Sequence, residues 1–283
     1  MSRRIDLLRL DYIFSVVVPL LIAVFINEDY VIWDHIDIIV GFAMLAITGN
    51  TWNDVVDMRD PNEIETLERV EGYHWKEIFT IGLISFILGI TLLIRTCITY
   101  WINGILLIVI IFMVLLYCVK FKAYPIVNHI LLGTSHIILP YFMIKIDHIG
   151  LPLTEPLMTE IEWLIMIVFF SFALTGQFVH EAIDGDSITR FSLKTQQKII
   201  IISACITISI AIIMYSLFFQ YQVVVYFVPF ILFPIGTIYT FRRPTSSTRG
   251  VKDVGILMGN FLLIYFVTLI IMKMNGIIVV SFP

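Results

Sequence analysis

The chain has 283 residues, 59% hydrophobic and 14% charged, with a mean hydropathy of +0.95 and a formal net charge of −4. Soluble domains are nearer half apolar and a quarter charged, so this composition excludes a soluble globular enzyme and a disordered chain. The acidic balance supplies no basic field for DNA or RNA, and no nucleic-acid partner is expected. What remains is a multi-pass protein embedded in a lipid bilayer.

A membrane-crossing helix needs about 20 mostly apolar residues. Such runs lie at 10–26, 36–53, 78–94, 98–117, 126–144, 161–180, 199–218, 223–240 and 254–272, nine in all. Arg3 and Arg4 precede the first run, but no small-residue cleavage site follows, so the run is expected to stay as the first span. The third and fourth runs are separated only by a tight turn within 95–100. Pro19, Pro140, Pro229 and Pro234 are expected to kink their helices. Cys97, Cys118 and Cys205 form no CxxC pair and read as packing residues. Asn128, His129 and His136 in the fifth run read as satisfied packing groups.

Nine spans place Arg95, Lys145 and Lys273 on one side and the other 15 of the 18 Lys and Arg residues on the opposite side. The positive-inside rule makes the richer side cytoplasmic, with the N-terminus inside and the C-terminus outside. The whole chain, 1–283, reads as one transmembrane domain. Spans 1–4 and 5–8 form two similar halves and the ninth is added, because spans 2 and 6 each end in an acidic cluster.

The first cluster is Asn53-Asp54-Val-Val-Asp57-Met-Arg59-Asp60. If the second helix continues through it, Asn53 and Asp57 stand one turn apart and Asp54, Asp57 and Asp60 are helical neighbours. Like charges at that spacing repel, a helix C-terminus repels them further, and the apolar boundary removes solvation. A divalent cation reverses all three effects, and hard oxygen donors suit Mg²⁺. The second cluster is His180-Glu181-Ala-Ile-Asp184-Gly185-Asp186, with Glu181 and Asp184 one turn apart and Gly185 to end the helix. The expected metal ligands are therefore Asn53, Asp54, Asp57, Asp60, Glu181, Asp184 and Asp186, arranged as a clamp for a diphosphate. Glu63, Glu65, Glu68 and Glu71 read as a solvated face.

In their order along the chain these stretches resemble the UbiA superfamily of intramembrane prenyltransferases. Asn53-Asp54-Val-Val-Asp57 is similar to the family's first aspartate-rich motif, and Glu68-Arg69-Val70-Glu71-Gly72 to its Arg-Pro-x-x-Ser-Gly stretch. The segment from Leu116 and Tyr117 through Lys120 and Lys122 to Tyr124-Pro125 resembles the stretch after the family's fourth helix. Ile183-Asp184-Gly185-Asp186 resembles the end of its second motif, and Arg9 stands where an Arg often leads into the first helix. The chain departs from the pattern at three points. The third acid of motif one would fall at Pro61, with Asp60 one residue early. The first acid of motif two would fall at Ala182, with Glu181 one residue early. Val70 stands for a proline.

The resemblance implies a nine-helix all-α bundle and Mg²⁺-dependent transfer of a polyprenyl group from a polyprenyl diphosphate to an acceptor. The allylic cation would form in a groove open to the lipid bilayer, which excludes water. It implies Asp57, Asp184, Asp186 and Tyr117 as the catalytic set. Arg69, Lys120 or Lys122, Arg190 and Lys194 are expected on the diphosphate. Asn50, Gln177 and His180, polar groups within a turn of the acids, are expected on the acceptor or around the metals. The acceptor itself is not legible. Two other readings stand beside this one: a terpene cyclase or phosphosugar-transferring relative on the same fold, and a transporter or non-catalytic membrane protein. A transporter more often carries broken helices with charges at mid-membrane, whereas here the acids sit at helix ends.

Overall fold

The computed structural model describes residues 7–27, 30–61, 63–122, 124–153, 156–184, 187–242 and 249–280. At 65, 125, 126, 184, 187, 222 and 249–254 only the backbone is described. All regular elements among these residues are helical: α1 (Phe14–Ile26), α2 (Ile36–Asp57), α3 (Ile64–Arg69), α4 (Trp75–Thr99), α5 (Trp101–Leu116), α6 (Pro125–Gly133), α7 (Leu139–Ile149), α8 (Glu160–Asp184), α9 (Leu193–Phe218), α10 (Pro229–Phe241) and α11 (Arg249–Met274). Eight of the helical stretches are long and apolar enough to cross a membrane, and Leu10–Ile26 is a shorter apolar helix. Each falls on one of the nine predicted runs. The protein is a multi-pass integral membrane bundle.

The first run is short but central. Every residue of α1 from Val16 to Ile26 is buried, as expected of a helix that is apolar all round. It packs against α2, α7 and α11. The outer helices instead show apolar residues outward, Ile98, Ile108 and Phe112 among them, each at least 60% exposed. In water such exposure would be a liability; in a bilayer it is the lipid-facing surface.

Glycine sets the approach of α2 to α4. A Cβ on Gly41 would lie 2.7 Å from Leu93 Cγ, and one on Gly89 would lie 3.0 Å from the Gly41 carbonyl oxygen. Small residues let two membrane helices pack backbone to backbone. Nearer the first acidic cluster Gly82 plays the same part: a Cβ there would lie 2.5 Å from Thr51 Oγ1 and from the Trp52 ring, so the end of α2 closes on the start of α4. The tight turn expected within 95–100 is a single extended residue, Tyr100, between α4 and α5. Asn103 fastens the turn by donating to Thr96 Oγ1 at 2.7 Å and to the Met143 carbonyl at 3.0 Å.

Proline shapes the middle of the bundle by a route other than simple kinking. The run expected at 126–144 extends to Ile149 and contains a π turn, Thr134–Ile138, just before Pro140. Pro140 has no N–H to donate and its ring clashes with the carbonyl four residues back, so the helix widens there. A second π turn, Tyr117–Phe121, ends α5, and Lys122 N–H donates to the Tyr117 carbonyl at 3.0 Å. Pro125 then forces Tyr124 out of the helical region and opens α6.

Polar contacts tie the remaining helices. Ser171, Thr175, Ser203 and Thr207 form a buried hydroxyl ladder between α8 and α9, with oxygens 2.8–3.2 Å apart. At the end of the bundle away from Asp57, Arg95 pairs with Asp37 at 2.6 Å and with Asp147 at 3.2 Å. Asp147 also meets His35 at 3.0 Å. Beside them Lys145 pairs with Glu162 at 2.8 Å, and Tyr141 donates to the same carboxylate at 2.6 Å. These groups fasten that end of α2, α4, α7 and α8 together.

Gly41→Val is expected to lower the thermal unfolding midpoint of the detergent-solubilised protein, by overpacking worth about 1–3 kcal/mol. Gly255→Ala, where an added Cβ meets nothing within 4 Å, is expected to leave it unchanged or slightly higher.

Candidate functional site

The site begins where α2 runs out of apolar residues. The helix continues through Asp57, so Asn53 and Asp57 do lie one turn apart, and Asn53 Nδ2 donates to Asp57 Oδ2 at 2.6 Å. Asp54, one residue on, faces elsewhere. It is fully buried and receives two hydrogen bonds from Arg69, Nη2 to Oδ1 at 2.7 Å and Nε to Oδ2 at 3.1 Å. Arg9 adds a second guanidinium 3.7 Å from Oδ1. The Arg69 contact fixes the short helix α3 beneath the end of α2.

Arg9 reaches Asp54 at a conformational cost. Its φ of 44° and ψ of 47° are left-handed, a region that costs a non-glycine residue of order 1–3 kcal/mol. The charged contact and the Tyr12 ring, 4.3 Å below the guanidinium, offset that cost. Burial lowers the Arg9 pKa, but Asp54, Tyr12 and Asp11 together leave it above its ordinary range, so the group stays charged.

Lys122 follows the π turn that ends α5. Its ammonium lies 3.0 Å from Asp57 Oδ2 and 2.7 Å from Glu63 Oε1. Two polar chains then lead from the first acidic cluster to the second. In one, Asn128 donates to the Lys122 carbonyl at 3.2 Å and to Glu181 Oε1 at 2.6 Å. His129 Nε2 is 3.5 Å from the same Glu181 oxygen. In the other, Asp54 meets Arg9, Arg9 covers Tyr12, and the Tyr12 ring lies 5.7 Å from that of His180. The ends of α2 and α8 are therefore joined through the start of α1 and through α6, at one end of the bundle.

This arrangement resolves the repulsion expected among the carboxylates differently from the sequence reading. Asp54 is matched by Arg69 and Arg9, and Asp57 by Lys122, so each acid has its own cation. Glu181 is 1% exposed and hydrogen-bonded on α6. Among the described residues no three His, Cys, Asp or Glu side chains form a group able to hold a metal ion. Asp54, expected beside Asp57 as a ligand, is taken up by guanidinium groups. One buried atom nevertheless fits a cation. Asn53 Oδ1 is buried without a hydrogen-bond partner, beside the Asp57 carboxylate that its own amide nitrogen touches. An amide oxygen and a carboxylate are hard donors of the kind Mg²⁺ takes singly or in pairs, completing its shell with water and phosphate oxygens. The Asp184 side chain and the whole of Asp186 lie outside the described residues, so their expected ligand roles have no geometry here.

The other expected site residues divide. Lys122 and Arg69 come to the acids. Lys120 does not; it is exposed, with its ammonium 5.6 Å from the centre of the Phe121 ring. Tyr117 opens the π turn and is half-buried, and Asn50 and Gln177 are half-buried on α2 and α8. Asp60 is exposed beyond the end of α2, while Arg190 and Lys194 are exposed beyond α8 and at the start of α9. Sequence reasoning passed over three residues that the structure brings in. Glu63 was assigned to a solvated face, and Asn128 and His129 to packing. Their signal was positional: Glu63 lies two residues past the missing acid at Pro61, and Asn128 and His129 lie just after the helix-opening Pro125.

A separate apolar cavity of about 210 Å³ lies between α7 and α8, lined by Ile138, Tyr141, Met158, Trp163, Met166, Ile167 and Phe170. Tyr141 belongs to the opposite end of the bundle, so this cavity is not part of the polar site.

No family model matches the sequence, and no match to a curated protein sequence is found. Solved structures do match. A UbiA homolog from Archaeoglobus fulgidus bound to DMAPP and Mg²⁺ aligns with a TM-score of 0.67 at 14% identity, covering 94% of this chain and 98% of that one. The same homolog bound to GPP and Mg²⁺ aligns with a TM-score of 0.67 at 13% identity, covering 94% and 98%. A digeranylgeranylglyceryl phosphate synthase aligns with a TM-score of 0.56 at 14% identity, covering 96% of each chain. Over nearly its whole length, this chain has the fold of the UbiA homologues.

Proposed function

We propose that the chain is a prenyltransferase of the UbiA superfamily that binds a prenyl diphosphate together with a divalent cation, Mg²⁺ being the one that accompanies the prenyl diphosphate in two of the similar structures. One observation carries this reading. Cations and hard oxygen donors from four parts of the chain (Arg9, the end of α2, the α3 segment and Lys122) meet at one end of an apolar bundle, linked by hydrogen bonds to the acidic end of α8. A transporter reading has no comparable support, because the described acids and bases of the site lie at helix ends.

Asn53 and Asp57, with Asp184 and Asp186 from the other cluster, would hold the cation. When bound, Mg²⁺ supplies positive charge to the diphosphate as it departs. The chain's own groups do the rest. Lys122 and Arg69 present fixed positive charge where negative charge grows on the leaving group. Asp54 positions Arg69 and Arg9 and is not itself a ligand. Tyr117, one π turn before Lys122, brings an electron-rich ring to the end of the bundle where an allylic cation would form. The apolar helices exclude the water that would quench that cation. Each buried CH₂ of the tail contributes about 0.8 kcal/mol, and the tail already resides in lipid, so it enters sideways. The basic surface at Lys122, Arg190, Lys194 and Lys198 then faces the cytoplasm by the positive-inside rule, which is where a soluble diphosphate head is available.

Incubation of the purified chain with labelled geranylgeranyl diphosphate and candidate acceptors, followed by mass spectrometry, tests the reaction. A prenylated acceptor is expected. A cyclised hydrocarbon formed without acceptor would favour the cyclase alternative instead. EDTA is expected to stop turnover and Mg²⁺ to restore it; activity indifferent to chelation would defeat the metal assignment. Asp57→Asn is expected to reduce turnover by about 10²-fold or more with the unfolding midpoint nearly unchanged. Asp54→Ala is expected to act differently. It strands two guanidinium groups beside an apolar core and should cost about 3–5 kcal/mol of stability, read as lower expression and a lower unfolding midpoint.

A further inference from the structure

Lys122 holds two carboxylates, and the nearer one has no part in the proposed cation set. Glu63 Oε1 is at 2.7 Å and Asp57 Oδ2 at 3.0 Å. The two acids differ in their hold on the protein. The Asp57 side chain is 9% exposed at the end of α2 and is hydrogen-bonded by Asn53. The Glu63 side chain is 25% exposed and caps nothing by a side-chain hydrogen bond at the start of α3. Helical spacing along α2 does not deliver Glu63. It is brought over Lys122 because Arg69, at the other end of α3, is fixed on Asp54. The α3 segment is thus tied down firmly at Arg69 and lightly at Glu63.

A diphosphate that uses Lys122 meets this carboxylate on the same ammonium. Two anions on one cation repel, and the more exposed partner, the one solvent can take up, leaves. We propose that Glu63 is a positioning residue that stands in for the diphosphate on Lys122: it holds the ammonium in place, yields it to the incoming substrate, and returns to it as pyrophosphate departs. This rests on the reading of the chain as a diphosphate-binding protein. Its consequence is that Glu63 weakens the hold on pyrophosphate and so speeds product release, acting on affinity and not on the chemical step.

The test is calorimetric titration of the purified full-length chain with inorganic pyrophosphate at fixed Mg²⁺ and low salt, where such pairs are least screened. Glu63→Gln keeps the side-chain shape and removes the charge. It is expected to bind pyrophosphate about fivefold more tightly than the unaltered chain. Glu68→Gln, the same charge change at an exposed position of α3, is expected to have no effect. In a Lys122→Met background, which itself binds more weakly, Glu63→Gln is expected to give no further gain. Equal or weaker binding by Glu63→Gln overturns the proposal, and so does a gain that survives Lys122→Met. If the unaltered chain and Glu63→Gln both fail to bind pyrophosphate, the diphosphate reading itself falls, and this inference with it.

Discussion

The pairing of Asp54 with Arg69 and Arg9 is the interaction on which the functional end of this bundle rests. A fully buried carboxylate at a lipid boundary is costly unless close partners satisfy it, because the desolvation cost exceeds what distant charges return. Two guanidinium groups supply that compensation from opposite directions in sequence, one before α1 and one at the end of α3. The acid therefore acts as a fastening point. It draws the N-terminal segment and the α2–α4 connection onto the same end of α2.

Proline and small residues do comparable work inside the apolar layer. Pro140 and Pro125 each remove a backbone donor, and the chain answers with a widened turn before one and a break before the other. Lys122, which lies beside Asp57, follows the other widened turn, Tyr117–Phe121, and the break at Tyr124 opens α6, whose Asn128 and His129 meet Glu181. Gly82 lets the end of α2 close on the start of α4 beside the acidic turn. Local backbone constraints in the middle of the sequence thus become the aim of charged groups at the edge of the membrane.

Both ends of the bundle are fastened by charge. Away from Asp57, Arg95 takes Asp37 and Asp147, Asp147 also meets His35, and Lys145 takes Glu162, which links four helices. Near Asp57, Asp54 has two cations and Lys122 has two anions. In each case one ion bridges two segments of the chain, so the same kind of shared pairing closes both ends of the bundle.

Much of this was legible along the chain. The apolar runs mark the spans because a bilayer demands about 20 such residues, and the clusters at the ends of the second and sixth runs mark the polar end. Asn53 and Asp57 share a face as helical spacing requires, and Lys122 and Arg69, singled out by type and position, lie against the acids. The roles of Asp54, Glu63, Asn128 and Lys120 were not legible. Spacing puts Asp54 and Asp57 near one another, but it does not say which guanidinium or ammonium arrives from elsewhere to claim each. Lys120 and Lys122 are two residues apart and face different ways, so one reaches the acids while the other lies over Phe121. The sequence alone determined the bundle, its apolar spans and the residue types at its polar end, because hydropathy and helical period are local properties. The tertiary structure alone decided which charges meet, because ion pairing at a lipid boundary is settled by side chains far apart in the chain.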